Sequence, residues 1–394
     1  MLGAIIGDIV GSRWEFNPTN NHWFELLSDR NSFTDDTICT VAVADALLKG
    51  RDYGESLHEW CRKYPRPMGG YGGRFAQWVK SDNPKPYGSF GNGSAMRVSP
   101  IGFWFEDDND ILEHARQSAA CTHDHEEGIR GAQTVALTIH HALALRKEIL
   151  RGEEGMNQLM AYATGFSNYN IDIRKEDVEN RFDETCQGTV PVALWIISQS
   201  YGFEDAIRRA VSLGADADTL GGIVGGMAEA IWGIPVELRS TAEAYLPEDM
   251  LLVINDFYQS EHNHFVRLCK RRTTQFIQKY IDFFENEFGR TRESFYRFFD
   301  DSEFSHECWT LGFDMDCGSS FSETYGLDAW YEPGPLKACI DKVDDIQVIG
   351  NALFSKWRYY NHWESPSQAD EKTKEWFLLL LHRMKDIDAA RPLP

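Results

Sequence analysis

Apolar residues recur every three to four positions over residues 35–49, 109–121, 125–148, 190–200, 203–213 and 219–232. That period lines them along one face of an α-helix. Alternation of β-branched and polar residues over five or more positions, the mark of a half-buried strand, is scarce. The pattern predicts an all-α fold for residues 1 to about 245. Between 62 and 93 the periodicity lapses into Pro65, Pro67, Gly69, Gly70, Gly72, Gly73, Pro84, Pro86 and Gly88, which predicts one long loop. Loops of that length in a compact domain are usually functional or disordered, and Tyr71, Phe75, Trp78 and Phe90 are expected either to wall a cleft or to pack into the core. After Pro235 the texture changes. Residues 251–299 form a helical run dense in aromatics and charge, so the chain divides into a domain over 1–245 and a mostly helical second domain over 246–394.

Within the helical pattern, glycine is placed against local preference. Gly3, Gly7 and Gly11 fall at i, i+4 and i+8 on one face of the opening helix, and Gly221, Gly222, Gly225 and Gly226 repeat the device in the second half. Each helix-interior glycine costs roughly 1 kcal/mol relative to alanine, so close backbone approach must offset it. Two tightly packed central helices are expected. Asp8 and Glu15, seven residues apart, are expected on one helical face.

The helices also carry the candidate chemistry. Thr34-Asp35-Asp36-Thr37 and Asp216-Ala217-Asp218-Thr219 each crowd two carboxylates and at least one threonine hydroxyl into four residues, directly before an apolar helical stretch. Adjacent carboxylates diverge by about 100° inside a helix, so they converge only at a turn or a helix end. Such residues cap helices, or they ligate hard divalent cations, which take carboxylate, hydroxyl and water oxygens. The matching composition of the two clusters favours metal, and two ions about 3.5–4 Å apart need ligands drawn from several parts of a chain.

Four segments taken together resemble a known family: Gly3 to Glu15, Thr34 to Thr37, Gly91-Asn92-Gly93-Ser94-Ala95-Met96-Arg97, and Gly214 to Gly222. In this order they look like the signatures of the ADP-ribosylglycohydrolases, over about residues 1–235. The resemblance implies a compact helical bundle with a dinuclear metal cleft, extended here by a mostly helical C-terminal region, and an enzyme that hydrolyses the glycosidic bond between ADP-ribose and an acceptor. It implies two Mg²⁺ ions, or Mn²⁺, held by Thr34, Asp35, Asp36, Asp216, Asp218 and Thr219. Glu15, Asp36 and Asp218 are the implied catalytic residues. Asn92, Gly93, Ser94 and Met96 are the implied contacts to the phosphates and ribose, with Arg97 supporting their loop. From its residues alone the 91–94 segment reads as an Asn-Gly turn entering a helix, a junction whose N–H groups suit an anion. The Thr122-His123-Asp124-His125 stretch resembles one that lines the family's ligand cleft, which casts His123 as a ribose or phosphate contact, although Glu126 stands where proline is common. Two histidines two residues apart do not meet on one metal within a helix, so zinc is discounted. His140 and His141 read as ordinary histidines of an amphipathic helix.

Composition sets the surroundings. The net charge of −22 argues against general nucleic-acid binding, which needs a basic surface. No apolar run of eighteen residues and no leader-like start is found, so neither membrane nor export is expected and a cytoplasmic setting is. Eight cysteines without a Cys-x-x-Cys pair read as reduced thiols. Asp314 to Ser320 reads as a turn, and Trp357, Tyr360 and Trp363 as aromatics that either stack a ligand or fill a core. A non-catalytic ADP-ribose-binding or structural relative is the alternative to an enzyme. All six proposed ligand positions carry oxygen, which favours catalysis; a nucleotide phosphohydrolase is disfavoured by the Asn92 loop and by the absence of repeated Glu-x-x-Glu ligand pairs.

Overall fold

The computed structural model describes residues 1–291, 294, 298–299, 302–313, 325, 331–362 and 371–390. The Asp314–Ser320 segment, Cys317 and Trp363 lie outside them. The chain is all-α: no β-sheet forms among the described residues, and one antiparallel bridge joins Gly91 to Thr185. Two compact units divide at Phe265/Val266.

The first unit runs through α1 (Leu2–Gly11), α2 (Asp35–Lys49), α3 (Tyr53–Lys63), α4 (Gly73–Lys80), α5 (Gly93–Met96), α6 (Ser99–Trp104), α7 (Asp108–Ala120), α8 (Glu126–Arg151), α9 (Glu153–Ser167), α10 (Lys175–Val178), α11 (Cys186–Gln199), α12 (Phe203–Val211), α13 (Ala217–Trp232), α14 (Val236–Glu243) and α15 (Glu248–Gln259). Helix α13 is buried from Ala217 to Ile231 on every face, which makes it the central rod of the unit. Helix α1, buried along its whole length, lies against it through the glycines. A methyl group on Gly7 would collide with the Gly221 carbonyl, one on Gly3 with that of Gly225, and one on Gly11 with that of Ala217. The glycine series therefore brings two backbones into direct contact and with them the chain segments at their ends, residues 12–15 after α1 and Asp216 before α13.

Two sequence expectations change here. The long loop over 62–93 contains α4, whose Phe75, Trp78 and Val79 face inward; flanking glycines and prolines hide an eight-residue amphipathic helix. Residues 246–265 belong with the first unit. Met250, Val253, Ile254 and Phe257 of α15 are buried, Tyr64 Oη donates to Asp249 Oδ1 at 2.6 Å, and Tyr245 Oη donates to the Ser28 carbonyl at 2.9 Å.

The second unit contains α16 (His264–Asn286) from Val266 onward, α17 (Ser302–Thr310), α18 (Pro333–Lys337), α19 (Ile346–His362) and α20 (Glu371–Ala390). Its core is aromatic, with Phe284, Phe299, Phe304, Phe354 and Phe377 fully buried. Trp357 and Tyr360 belong to that core: Trp357 Nε1 donates to the Phe298 carbonyl at 2.9 Å, and Tyr360 Oη bonds Thr373 Oγ1 at 2.9 Å.

Candidate active site

Helix α1 ends at Gly11, with Ser12 N–H bonded to the Asp8 carbonyl, so Glu15 sits beyond the helix, on an irregular turn. Asp8 stays inside α1, fully buried, and it organises the first acidic cluster. Its carboxylate accepts from Thr34 N–H at 3.0 Å, Thr34 Oγ1 at 2.7 Å, Thr37 N–H at 3.1 Å and Thr37 Oγ1. Burial pushes Asp8 up to about 6 against the pull of those four hydrogen bonds. Thr34 caps α2 by accepting from Asp36 N–H at 3.2 Å. Capping and the cluster are thus one arrangement: the cap turns the α2 N-terminus towards α13, and the carboxylates of Asp35 and Asp36 are carried there.

The second cluster opens α13. Glu15, Asp216 and Asp218 each offer a carboxylate oxygen within 4.8 Å of the other two. Asp36 stands outside that trio but faces it: a methyl on Gly222 of α13 would lie 3.6 Å from Asp36 Oδ2. Burial and then the Asp218 charge hold Asp36 and Asp35 well above the usual carboxylate range. Burial and then Asp216 do the same to Asp218, while Asp216 rises to about 7 through burial. Glu15 rises to about 8, through burial and then the charges of Asp218, Asp8 and Glu184. Among the described residues none of these carboxylates pairs with Lys, Arg or His. Asp36 Oδ2 and Asp218 Oδ1 are buried without a hydrogen-bond partner. Buried carboxylate oxygens left this way are costly unless a cation or proton meets them, and an all-oxygen set of this kind fits a hard divalent cation.

Beside the carboxylates lies the Asn92 turn. Asn92 Nδ2 donates to Asp216 Oδ2 at 2.7 Å and to Thr189 Oγ1 at 3.1 Å, and Asn92 N–H donates to the Glu184 carbonyl at 2.7 Å. Arg97, buried, donates to the Gly93 carbonyl at 3.0 Å, to the Ser118 carbonyl at 2.7 Å and to Thr122 Oγ1 at 2.8 Å, fixing the turn from beneath. The His123 ring lies against Gly93, where a methyl would come 3.1 Å from Nε2. Burial and the nearby Arg97 and Arg74 charges keep His123 well below its ordinary value, hence neutral. Ser94 Oγ is turned inward to the Gly128 carbonyl at 2.7 Å, so what Ser94 presents to a ligand is its backbone. Met96 is buried, with its methyl 4.0 Å from the position of a Gly93 Cβ. Thr219 is buried in the first turn of α13. His125 caps α8, and His140 and His141 face Asp108 at 3.7 and 3.3 Å, away from this site.

The profile of the ADP-ribosylglycohydrolase family matches residues 1–266, two thirds of the chain. The chain belongs to that family of hydrolases. Among its relatives is ADP-ribosylhydrolase ARH3 of Homo sapiens, 27% identical over an alignment covering 64% of this chain and 90% of the relative. ADP-ribosylarginine hydrolase Tri1 of Pseudomonas putida (strain GB-1) is 26% identical over 59% of this chain and 70% of its own length. A solved ADP-ribosylglycohydrolase-related protein complex aligns at TM-score 0.47 with 25% identity, over 64% of this chain and 96% of that one. In the ADP-ribosylglycohydrolase region of the chain, the residues that sequence reasoning did not single out are Thr189 and Glu184. Both approach the site only because the Gly91–Thr185 bridge pins the Asn92 turn to the start of α11, and nothing in the local pattern around 184–189 signals that pairing.

Proposed function

We propose that this chain is a divalent-cation-dependent hydrolase that cleaves the bond between the anomeric ribose carbon of ADP-ribose and an acceptor. The observation that carries the reading is the pair of buried, unpartnered oxygens, Asp36 Oδ2 at the start of α2 and Asp218 Oδ1 at the start of α13, the latter in the carboxylate trio beside the Asn92 turn. Thr34, Asp35, Asp36, Asp216, Asp218 and Thr219 would hold two Mg²⁺ ions, with Mn²⁺ the alternative. When bound, such ions orient ribose hydroxyls and lower the pKa of water.

The chain's own residues do the rest. Cleavage builds positive charge on the ribose ring, and the carboxylates around it favour that charge. Backbone N–H groups of the Asn92 turn, fixed by Arg97, suit the pyrophosphate. Glu15, raised to about 8, holds its proton near neutrality and is poised to move one at the scissile bond. Neutral His123 offers a hydrogen bond without adding charge. No described helix is long and apolar enough to cross a membrane.

The direct test is release of free ADP-ribose from ADP-ribosyl-arginine and ADP-ribosyl-serine peptides, with Mg²⁺ and with EDTA. Asp36→Ala and Asp218→Ala should lower turnover by roughly three orders of magnitude while circular dichroism stays unchanged. Undiminished release in EDTA, or near-normal turnover in both variants, would remove the reading.

A further inference from the structure

One loop separates Glu15 from a second depression in the surface. On its inner side Gly69, with φ at +75°, lies so close to Glu15 that a methyl would come 2.5 Å from Oε2. On its outer side Tyr64 to Met68, together with Lys63, Ser32 and Phe33, line a groove of about 460 Å³. Phe33 directly precedes Thr34 of the first acidic cluster. Two lining segments of the groove thus run directly into the site along the chain, Phe33 into Thr34 and Met68 into Gly69. The Asn92 turn is tethered to the other cluster, at Asp216. A substrate whose pyrophosphate sits at that turn leaves the Thr34 side for whatever lies beyond the scissile bond.

The groove's own chemistry indicates what that is. Two of its polar side chains are already committed: Lys63 Nζ lies 2.5 Å from Asp249 Oδ2, and Tyr64 Oη donates to Asp249 Oδ1. Tyr64 is further fixed by stacking on Trp60 and by an edge contact to Phe33. Arg66 differs: its side chain is exposed and makes no ion pair or hydrogen bond among the described residues. Phe33, Pro65, Pro67 and Met68 line the same groove with apolar area, and the two prolines are already rigid, which lowers the entropic cost of binding an extended segment. A lone guanidinium in such a setting matches one carboxylate. A polyanion is disfavoured because the chain carries a net charge of −22.

We propose that this groove receives the acceptor side of the substrate, as a peptide segment with a carboxylate beside the modified residue, and that Arg66 selects for that carboxylate. The assignment rests on the glycosidic-bond reading above. It is tested by kcat/KM for pairs of ADP-ribosylated peptides that differ only in carrying Glu or Ala next to the modified residue, made with both arginine and serine as acceptor. An ADP-ribosylated oligonucleotide and the single-amino-acid conjugates complete the set. The Glu peptide is expected to lead by about fivefold at low salt, the size of an exposed charge pair, and the lead should shrink as salt screens it. Arg66→Ala should bring the ratio to about one and Arg66→Glu should invert it; the ratio is insensitive to losses common to both peptides. A wild-type ratio of one, a ratio that survives Arg66→Glu, or a faster oligonucleotide would overturn the groove assignment while leaving the hydrolase standing. Failure of the wild type to hydrolyse even the single-amino-acid conjugates would instead overturn the hydrolase reading, and the groove with it.

Discussion

Asp8, Asp36, Asp216 and Asp218 are buried and Glu15 and Asp35 half-buried, so protons or cations must replace much of the water around these carboxylates. Asp8, Asp216 and Glu15 rise to about 6, 7 and 8, each with burial as the largest cause. A carboxyl whose folded value exceeds its unfolded one contributes stability that is fully present below the unfolded value, near 4, and is lost as pH rises through the folded value. For the metal-free protein that window runs from about pH 4 to about 8. Thermal melts in EDTA should therefore fall steadily between pH 5 and 8, and Mg²⁺ should raise the melting temperature more at pH 8 than at pH 5. Because a net charge of −22 also destabilises with pH, Asp216→Asn is the control: its EDTA curve should be flatter than the parent's. Parallel curves for the two proteins would show that Asp216 is not under the strain inferred here. The residues involved were unequally legible. Asp36 and Asp218 stood out because two acids within three residues, directly before an apolar helix, are chemically conspicuous. The four-fold hydrogen bonding of Asp8 spans up to 29 residues and leaves no local trace.

At the scale of elements, geometry passes from glycines to the site. Helices α1 and α13 touch backbone to backbone, and every carboxylate of the site lies on one of them, on α2 or just beyond an end. A methyl on Gly7 cannot be accommodated without separating α1 from α13, since what it meets is the Gly221 carbonyl rather than a flexible side chain. Gly7→Ala should cost about 3 kcal/mol or more, as overpacking of a rigid core does, and should weaken Mg²⁺ binding by calorimetry because the two clusters move apart. Gly165→Ala is the counterpart. Gly165 sits in α9 with nothing within 4 Å of a Cβ, so the change should stabilise by up to ~1 kcal/mol. Equal effects of the two substitutions would refute the claim that contact, and not helix propensity, explains the glycine series. That series was readable in the sequence because its spacing is local. The end of α1 at Gly11 was not, and so Glu15, expected on the helix, is found on a turn. Helix α4 was missed for a similar reason, its eight residues being embedded among glycines and prolines that dominate any window wide enough to show a period.

For the whole molecule, the question is where the catalytic unit stops. The change in composition after Pro235 suggested a boundary near 245, but composition reports which residues are present and not what they pack against. Helix α15 fills the first unit with Met250, Val253, Ile254 and Phe257, and Asp249 anchors both Lys63 and Tyr64 next to the loop over Glu15. Burying four large apolar side chains is worth roughly 1.5–3 kcal/mol each before entropy is counted, comparable with the whole stability of a domain. A chain ending at Tyr245 should therefore be insoluble or molten, whereas a chain ending at Phe265, which keeps every proposed ligand, should melt cooperatively and retain Mg²⁺-dependent hydrolysis of the single-amino-acid conjugates. A part for the second unit in choosing the ADP-ribosylated target can be tested in the same way. Comparing the 265-residue chain with the full one on folded ADP-ribosylated proteins separates the two roles: a loss confined to protein substrates gives target choice to residues 266–394, equal kcat/KM on every substrate removes that role from them, and loss of activity on the small conjugates would mean that the catalytic unit does not end at Phe265.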